Sequence, residues 1–439
     1  MVPAELEPDL DFTAPSGRAR RGVTLIAGSL VALTIAGVVF LHPTLPGTST
    51  SAGSSSSPKQ ASYRVVAADF VDANTGWVVA LFASGDYAVL HTGDGARSWT
   101  QQLTVAGESH PVYMKFFDRS TGVFALVGTS PVLRRTFDGG QSWATLPALE
   151  STAIVTSWSF LDIDYGWMLV DEAARTGSTD AQLYRTEDGG RRWAVLGAPV
   201  RAPERAYQVH FSYLTTGWLT TSGDGAYAYR TSDLGATWSR EQLPAPAAGW
   251  PATGQFFVAV QPTLNVGAVA SVVYFPPLKG RTGIGGTIRA FPPLTVRGFD
   301  GGRPRTFLYA TLLDQLVRSP WTQEQAPNQV ELGTVDNGVS WRVIAPPSTQ
   351  GAIGFVSALD WWWVTAGQWS RSRDGGATWS DPRGAGAVQP EPGTLQVLDS
   401  KHAWYAGSED SRPLLVGTDD GGASWRVRQL PAMQDLPTL

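Results

Sequence analysis

The sequence predicts an all-β chain: a closed ring of four-stranded antiparallel sheets, seven favoured and eight possible, preceded by one transmembrane helix. Three observations predict it. An eight-residue pattern recurs seven times at a step near 45 residues. The segments between the copies are short, rich in valine and aromatic residues and bounded by turn formers, which is the composition of strands. An uncharged stretch of twenty residues, 22–41, precedes all of them.

Residues 1–21 read as a short cytoplasmic tail that ends in Arg18, Arg20 and Arg21. The stretch that follows, GVTLIAGSLVALTIAGVVFL, is long enough as a helix to cross a hydrocarbon core of about 30 Å. The next Lys or Arg after it is Lys59, so the positive-inside rule keeps the N-terminus in the cytoplasm and sends the rest across. A signal peptide cleaved near TSTSAG is the alternative reading of the same residues. Residues 42–61 are rich in Ser, Gly, Pro and Thr and read as a flexible linker. The repeats occupy 62–430, and 431–439 form a C-terminal tail.

The repeated octapeptide is Ser/Thr, any, Asp, any, Gly, any, Ser/Thr, Trp. Its Asp and Trp positions are Asp94 and Trp99, Asp138 and Trp143, Asp188 and Trp193, Asp233 and Trp238, Asp336 and Trp341, Asp374 and Trp379, and Asp420 and Trp425. Two copies depart once: Ala96 takes the glycine slot and Arg192 the second hydroxyl slot. Each suits a tight turn between the last two strands of a sheet. The aspartate can accept bonds from amides of its own turn, the glycines allow positive φ, and the tryptophan buries apolar surface. A second element stands about twenty residues ahead of most copies: Thr75-Gly76-Trp77, Thr121-Gly122-Val123, Tyr165-Gly166-Trp167, Thr216-Gly217-Trp218 and His402-Ala403-Trp404. Each unit then holds about four short strands, which cannot bury both faces alone but can in a ring of such sheets.

The octapeptide resembles the Asp box, or BNR repeat, of β-propellers. With the preceding Gly-Trp element, the chain from about 62 to 429 resembles the photosystem II stability/assembly factor family and its many bacterial relatives. The resemblance implies an exported propeller that acts as a transient scaffold for a membrane partner. It implies no photosynthesis, and it assigns no catalytic, cofactor-binding or metal-binding residue here.

The aspartate steps are 44, 50, 45, 103, 38 and 46 residues, so one step is twice the period. The preferred reading is an insertion at 279–328 within one unit; an eighth unit, with RGFDGG at 297–302 as a decayed octapeptide, is the alternative. The insertion is locally basic and aromatic. Its Arg281, Arg289, Arg297, Arg303, Arg305 and Arg318 are the candidate partner-binding residues, because arginines and aromatics dominate interface energetics.

A net charge of −5 gives no case for nucleic-acid binding, and the absence of cysteine removes disulfides and thiolate metal sites. The five histidines are scattered at 42, 91, 110, 210 and 402, without metal-ligand spacing. Seven aspartates spread round a ring cannot form one catalytic pocket. The expectation is therefore a membrane-anchored, extracytoplasmic, non-enzymatic propeller. It would bind a protein partner at or near the membrane, with no cofactor and no small-molecule substrate. The alternatives are a sialidase-like glycoside hydrolase and a glycan-binding propeller that uses Trp361, Trp362 and Trp363; the competing reading of that triplet is a strand whose alternate rings pack between sheets. Arg134, Arg135, Arg191 and Arg192, beside the octapeptides, are expected on the surface.

Overall fold

In the computed structural model the described residues lie within 63–431, with gaps in connecting segments, the longest being 276–294 and 309–327. The tail, transmembrane segment and linker expected at 1–61, and all but Pro431 of the C-terminal tail expected at 431–439, lie outside them. The chain divides into two compact units, 1–57 and 58–439, and only the second is described. Among the described residues no helix is long and apolar enough to cross a membrane.

The second unit is an all-β propeller of four-stranded antiparallel meanders. The first sheet holds β1 (Tyr63–Phe70), β2 (Gly76–Phe82), β3 (Tyr87–Thr92) and β4 (Thr100–Val105). The second holds β5 (Val112–Phe116), β6 (Gly122–Leu126), β7 (Val132–Thr136) and β8 (Ala144–Thr145). The third holds β9 (Ile154–Phe160), β10 (Gly166–Asp171), β11 (Ala181–Thr186) and β12 (Ala194–Gly197). The fourth contains two meanders. One is β13 (Arg205–Phe211), β14 (Gly217–Gly223), β15 (Tyr227–Thr231) and β16 (Ser239–Gln242). The other is β17 (Gln255–Pro262), β18 (Ala268–Phe275), β21 (Asn328–Thr334) and β22 (Arg342–Ile344). Between β18 and β21 lie β19 (Thr295–Asp300) and β20 (Arg303–Leu308), which pair only with each other. The last two sheets are β23 (Ala352–Phe355) to β26 (Arg383–Gly384), with β24 (Trp361–Thr365) and β25 (Gln368–Ser372), and β27 (Gln396–Val397) to β30 (Arg426–Gln429), with β28 (Ala403–Glu409) and β29 (Arg412–Thr418).

The expected seven separate blades are corrected to six sheets of four or more strands. The reason is local. β14 pairs with β15 only from Gly217↔Thr231 to Leu219↔Tyr229, and its Thr221–Gly223 end pairs with β17 instead. That exchange fuses two meanders into one eight-stranded sheet. The eighth-unit alternative gains no four-stranded sheet among the described residues, because 297–300 fall in a strand that pairs only with 303–308.

The register explains why the two sequence elements keep their spacing. The glycine that begins the second strand pairs with the hydroxyl residue that begins the octapeptide: Gly76↔Thr92, Gly122↔Thr136, Gly166↔Thr186 and Gly217↔Thr231. On its other side the same glycine faces a phenylalanine at the end of the first strand: Phe70, Phe116, Phe160 and Phe211. A Cβ on Gly166 would meet the Phe160 ring at 2.5 Å, so glycine is needed there for space.

The hydrophobic cores lie between neighbouring sheets. Trp77 of the first sheet stacks on Phe116 of the second at 3.5 Å between centroids, and Trp167 stacks on Phe211 at 3.6 Å. Trp404 of the last sheet stacks on Phe70 of the first at 5.0 Å. That last stack belongs to the closure of the ring. The Gln396 amide accepts from Phe70 N at 2.6 Å and donates to Phe70 O at 2.8 Å, while Tyr63 Oη donates to Pro431 O at 2.8 Å.

Candidate functional site

Six of the seven octapeptide turns share one bonding pattern, and the copy at 186–193 lacks only the hydroxyl bond because Arg192 replaces that residue. In the copy at 136–143, Thr136 Oγ1 donates to Asp138 Oδ1 at 2.8 Å and accepts from Gly140 N at 2.7 Å. Ser142 N donates to Asp138 Oδ1 at 2.8 Å, and Ser142 Oγ donates to Oδ2 at 2.5 Å. The fourth and fifth positions are both left-handed, with φ of 73° at Gly139 and 90° at Gly140. Ala96, Leu234 and Asn337 hold the same conformation without being glycine, with φ of 65°, 67° and 61°. Each pays about 1–2 kcal/mol for it, so the surrounding bonds dominate local preference. The Ser142 hydroxyl and then the Ser142 amide hold the Asp138 carboxyl below its ordinary range. The Ser424 hydroxyl and amide hold that of Asp420 down to about 2. Such carboxylates are anionic turn fasteners and cannot serve as proton donors at neutral pH.

Among the described residues a second turn, between the first and second strands, lies against six of the octapeptide turns. Asp72, Asp118, Asp162 and Asp399 each accept from amides two and three residues ahead. The turns meet through Gly95 N to Asn74 O, Gly139 N to Ser120 O and Gly189 N to Asp164 O. The signal for this turn was legible in the sequence as an Asp four residues before the Gly of the Gly-Trp element.

The octapeptides also receive donors from the preceding sheet. Trp77 Nε1 donates to Gly139 O at 3.2 Å, Trp167 Nε1 to Leu234 O at 3.0 Å and Trp369 Nε1 to Gly422 O at 3.0 Å. Arg135 fills the same role where the second sheet offers Val123 in place of tryptophan. It donates to Asp188 O at 2.9 Å and Gly189 O at 3.2 Å, and pairs with Asp164 at 3.3 Å. The expectation that Arg135 lies on the surface is therefore corrected: its side chain is 2% exposed, because a neighbouring sheet covers it. Arg191 and Arg192 are exposed. The glycan platform at Trp361, Trp362 and Trp363 is corrected as well. All three are buried, Trp361 and Trp363 in one inter-sheet core and Trp362 in the next.

Polar side chains one residue before the first-strand phenylalanines bridge neighbouring sheets. Asp69 Oδ2 accepts from Phe116 N at 2.6 Å, Lys115 Nζ donates to Phe160 O at 2.5 Å, and Ser159 Oγ accepts from Phe211 N at 3.0 Å. His210 holds the same position before Phe211, but its buried Nε2 has no partner among the described residues. Desolvation holds its pKa down to about 3, so the ring is neutral.

Two places break the repeat. One is the insertion. The blade closes across it, because Tyr274 still pairs with Asn328. It leaves from the end of the meander opposite the octapeptide turn, since Ala268↔Thr334 marks the other end. Of the candidate arginines, Arg297 lies in β19 opposite Thr306, and Arg303 and Arg305 lie in β20 opposite Asp300 and Gly298. Arg281, Arg289 and Arg318 lie outside the described residues. β19 runs beside the first strands β1, β23 and β27.

The other place is the seam between the third sheet and the β13–β16 meander, also at the end away from the octapeptides; sequence reading missed it. Arg240 Nη2 lies 2.5 Å from Glu204 Oε1 and 4.0 Å from Asp224 Oδ1, and its guanidinium stacks 3.6 Å over the Tyr227 ring. Glu204 reaches this point by crossing Gly223, where a Cβ would stand 2.9 Å from Glu204 Cγ. Burial, then the Glu204 charge, push Tyr229 up to about 12. Beside it Arg205 pairs with Asp171 at 2.6 Å. Among the described residues no group of three or more His, Asp or Glu is arranged to hold a metal ion.

No family model and no curated protein sequence matches the chain. Solved structures do. A structure described as YCF48 bound to D1 peptide is 17% identical, covering 75% of this chain and 85% of that one, with a TM-score of 0.40. YCF48 from Cyanidioschyzon merolae is 14% identical, over 74% and 87%, with a TM-score of 0.44. The GH74 xyloglucanase from Xanthomonas campestris is 13% identical, over 83% and 72%, with a TM-score of 0.29. At these identities and TM-scores the likenesses assign this chain neither an activity nor a partner.

Proposed function

We propose that this chain is a non-enzymatic scaffold: a propeller that binds a protein partner beside a membrane, anchored by residues 22–41 and facing away from the cytoplasm. The observation that carries the reading is the insertion at 279–328. It is hung on a blade whose strands still pair directly across it at Tyr274↔Asn328, so the fold does not need it for closure. A long basic segment carried at low cost by a rigid ring is a means of presentation, since each doubling of loop length costs only about 0.6 kcal/mol. Six of the seven octapeptide aspartates support the same reading, because both their oxygens are engaged within their own turns.

The test is replacement of 279–328 by a short Gly/Ser turn in the full-length protein, followed by co-purification from solubilised membranes. The expected result is an unchanged melting curve and loss of the partner that the unaltered chain retains. A folded variant that keeps every partner overturns the assignment of the partner surface to the insertion. A variant that unfolds overturns the view that the insertion is dispensable to the ring.

A further inference from the structure

The Glu204–Arg240 seam binds nothing in the scaffold reading above. We propose that it is a binding site for a neutral hexopyranose, independent of the partner surface on the insertion.

The site is graded from a fixed floor to an open mouth. Glu204 is the floor, with its side chain 10% exposed; Arg240 is 44% exposed and Asp224 68% exposed. Glu204 and the Tyr227 ring together set the plane and position of the Arg240 guanidinium. The remaining guanidinium N–H groups then form a fork of donors beside the acceptor oxygens of Asp224, which makes no hydrogen bond among the described residues. A fixed donor fork next to a carboxylate matches vicinal hydroxyls, each of which both donates and accepts.

Charge narrows the class. Glu204, Asp224 and Asp171 carry three negative charges against two positive charges on Arg240 and Arg205. The excess negative charge disfavours phosphate, sulfate and uronic acids. The two guanidinium groups disfavour ammonium ligands. A neutral polyol with a ring face, able to use donors and acceptors together, is what remains. Pre-organisation favours it too, because the Glu204 side chain is packed across Gly223 and nearly buried before any ligand arrives.

The experiment uses the full-length protein in a detergent without a sugar headgroup. Saturation-transfer NMR and calorimetry are run with methyl α-glucoside, α-galactoside and α-mannoside, and with methyl glucuronide as the charged control. At least one neutral hexoside is expected to bind, and the glucuronide is not. Asp224→Asn and Arg240→Met should each weaken that binding by about tenfold or more, the loss of hydrogen bonds to a charged group. Asp224 is exposed and bears no structural load, so Asp224→Asn should melt as the unaltered protein does. Failure of every neutral hexoside to bind overturns the proposal. So does binding that survives both substitutions, or a glucuronide that binds as well as the neutral sugars.

Discussion

Gln396→Ala should open the ring at its clasp. The Gln396 amide is buried and ties the last sheet to the first across 326 residues of sequence. It accepts from Phe70 N at 2.6 Å and donates to Phe70 O at 2.8 Å and Asp69 Oδ1 at 3.3 Å. Truncation to alanine strands the buried Phe70 N–H, takes a donor from the Phe70 carbonyl and removes the weaker bond to Asp69. Each stranded group costs about 1–3 kcal/mol, less whatever water recovers by entering the space. The expected loss is about 3–5 kcal/mol. Unfolding entropy of about 2.1 cal/mol/K per residue over about 370 residues makes each kcal/mol worth roughly 1.3 °C. The melting temperature should therefore fall by about 4–6 °C, measured by calorimetry. Hydrogen exchange adds a local readout, because the Phe70 amide should lose protection first while amides of the third sheet keep theirs. A variant that melts with the unaltered protein and still protects Phe70 would refute the clasp, and closure would then rest on the Phe70–Trp404 stack, the Tyr63–Pro431 bond and the apolar core between the two sheets.

Three further outcomes follow from the geometry. Asp138→Ala removes the acceptor for Thr136 Oγ1, Ser142 N and Ser142 Oγ at an exposed turn and should cost about 1–2 kcal/mol in denaturant unfolding; equal midpoints for variant and parent would show that water replaces the network. Gly166→Ala drives a methyl into the Phe160 ring, which must shift, and should cost about 1–3 kcal/mol by the same assay, a loss absent if the seam were loosely packed. Stability should fall as pH drops, in two stages. His210, neutral when folded with a pKa of about 3, favours the unfolded chain as soon as pH falls below the ordinary histidine value of about 6.5. The octapeptide carboxylates, which are depressed when folded, add their loss from about pH 4 downward. His210→Gln should flatten the upper stage only, and an unchanged slope between pH 6.5 and 4 would remove His210 from the account.

The octapeptide turns and the Gly-Trp elements were legible because their bonds are local. Asp138 binds within four residues of itself, and Gly166 is dictated by a phenylalanine six residues earlier. Local chemistry leaves its mark in a short window of sequence, and repetition at a step near 45 residues makes the mark unmistakable. The Asp72-type turn is equally local, its bonds spanning three residues.

Tertiary structure decided what depends on which sheet stands beside which. Arg135 reads as a surface arginine in a turn, and becomes a buried inter-sheet donor only because the third sheet presents two carbonyls to it. Nothing near Gln396 announces a clasp, since its partners lie at the other end of the chain. Residues 204, 224 and 240 look like scattered surface charges until the β13–β16 meander folds and Gly223 lets Glu204 cross over. The number of sheets was decided in the same way, by β14 exchanging β15 for β17 beyond Leu219. Strand patterns in sequence specify that a segment pairs, but the choice of partner is a competition between neighbours that exists only once the ring has closed.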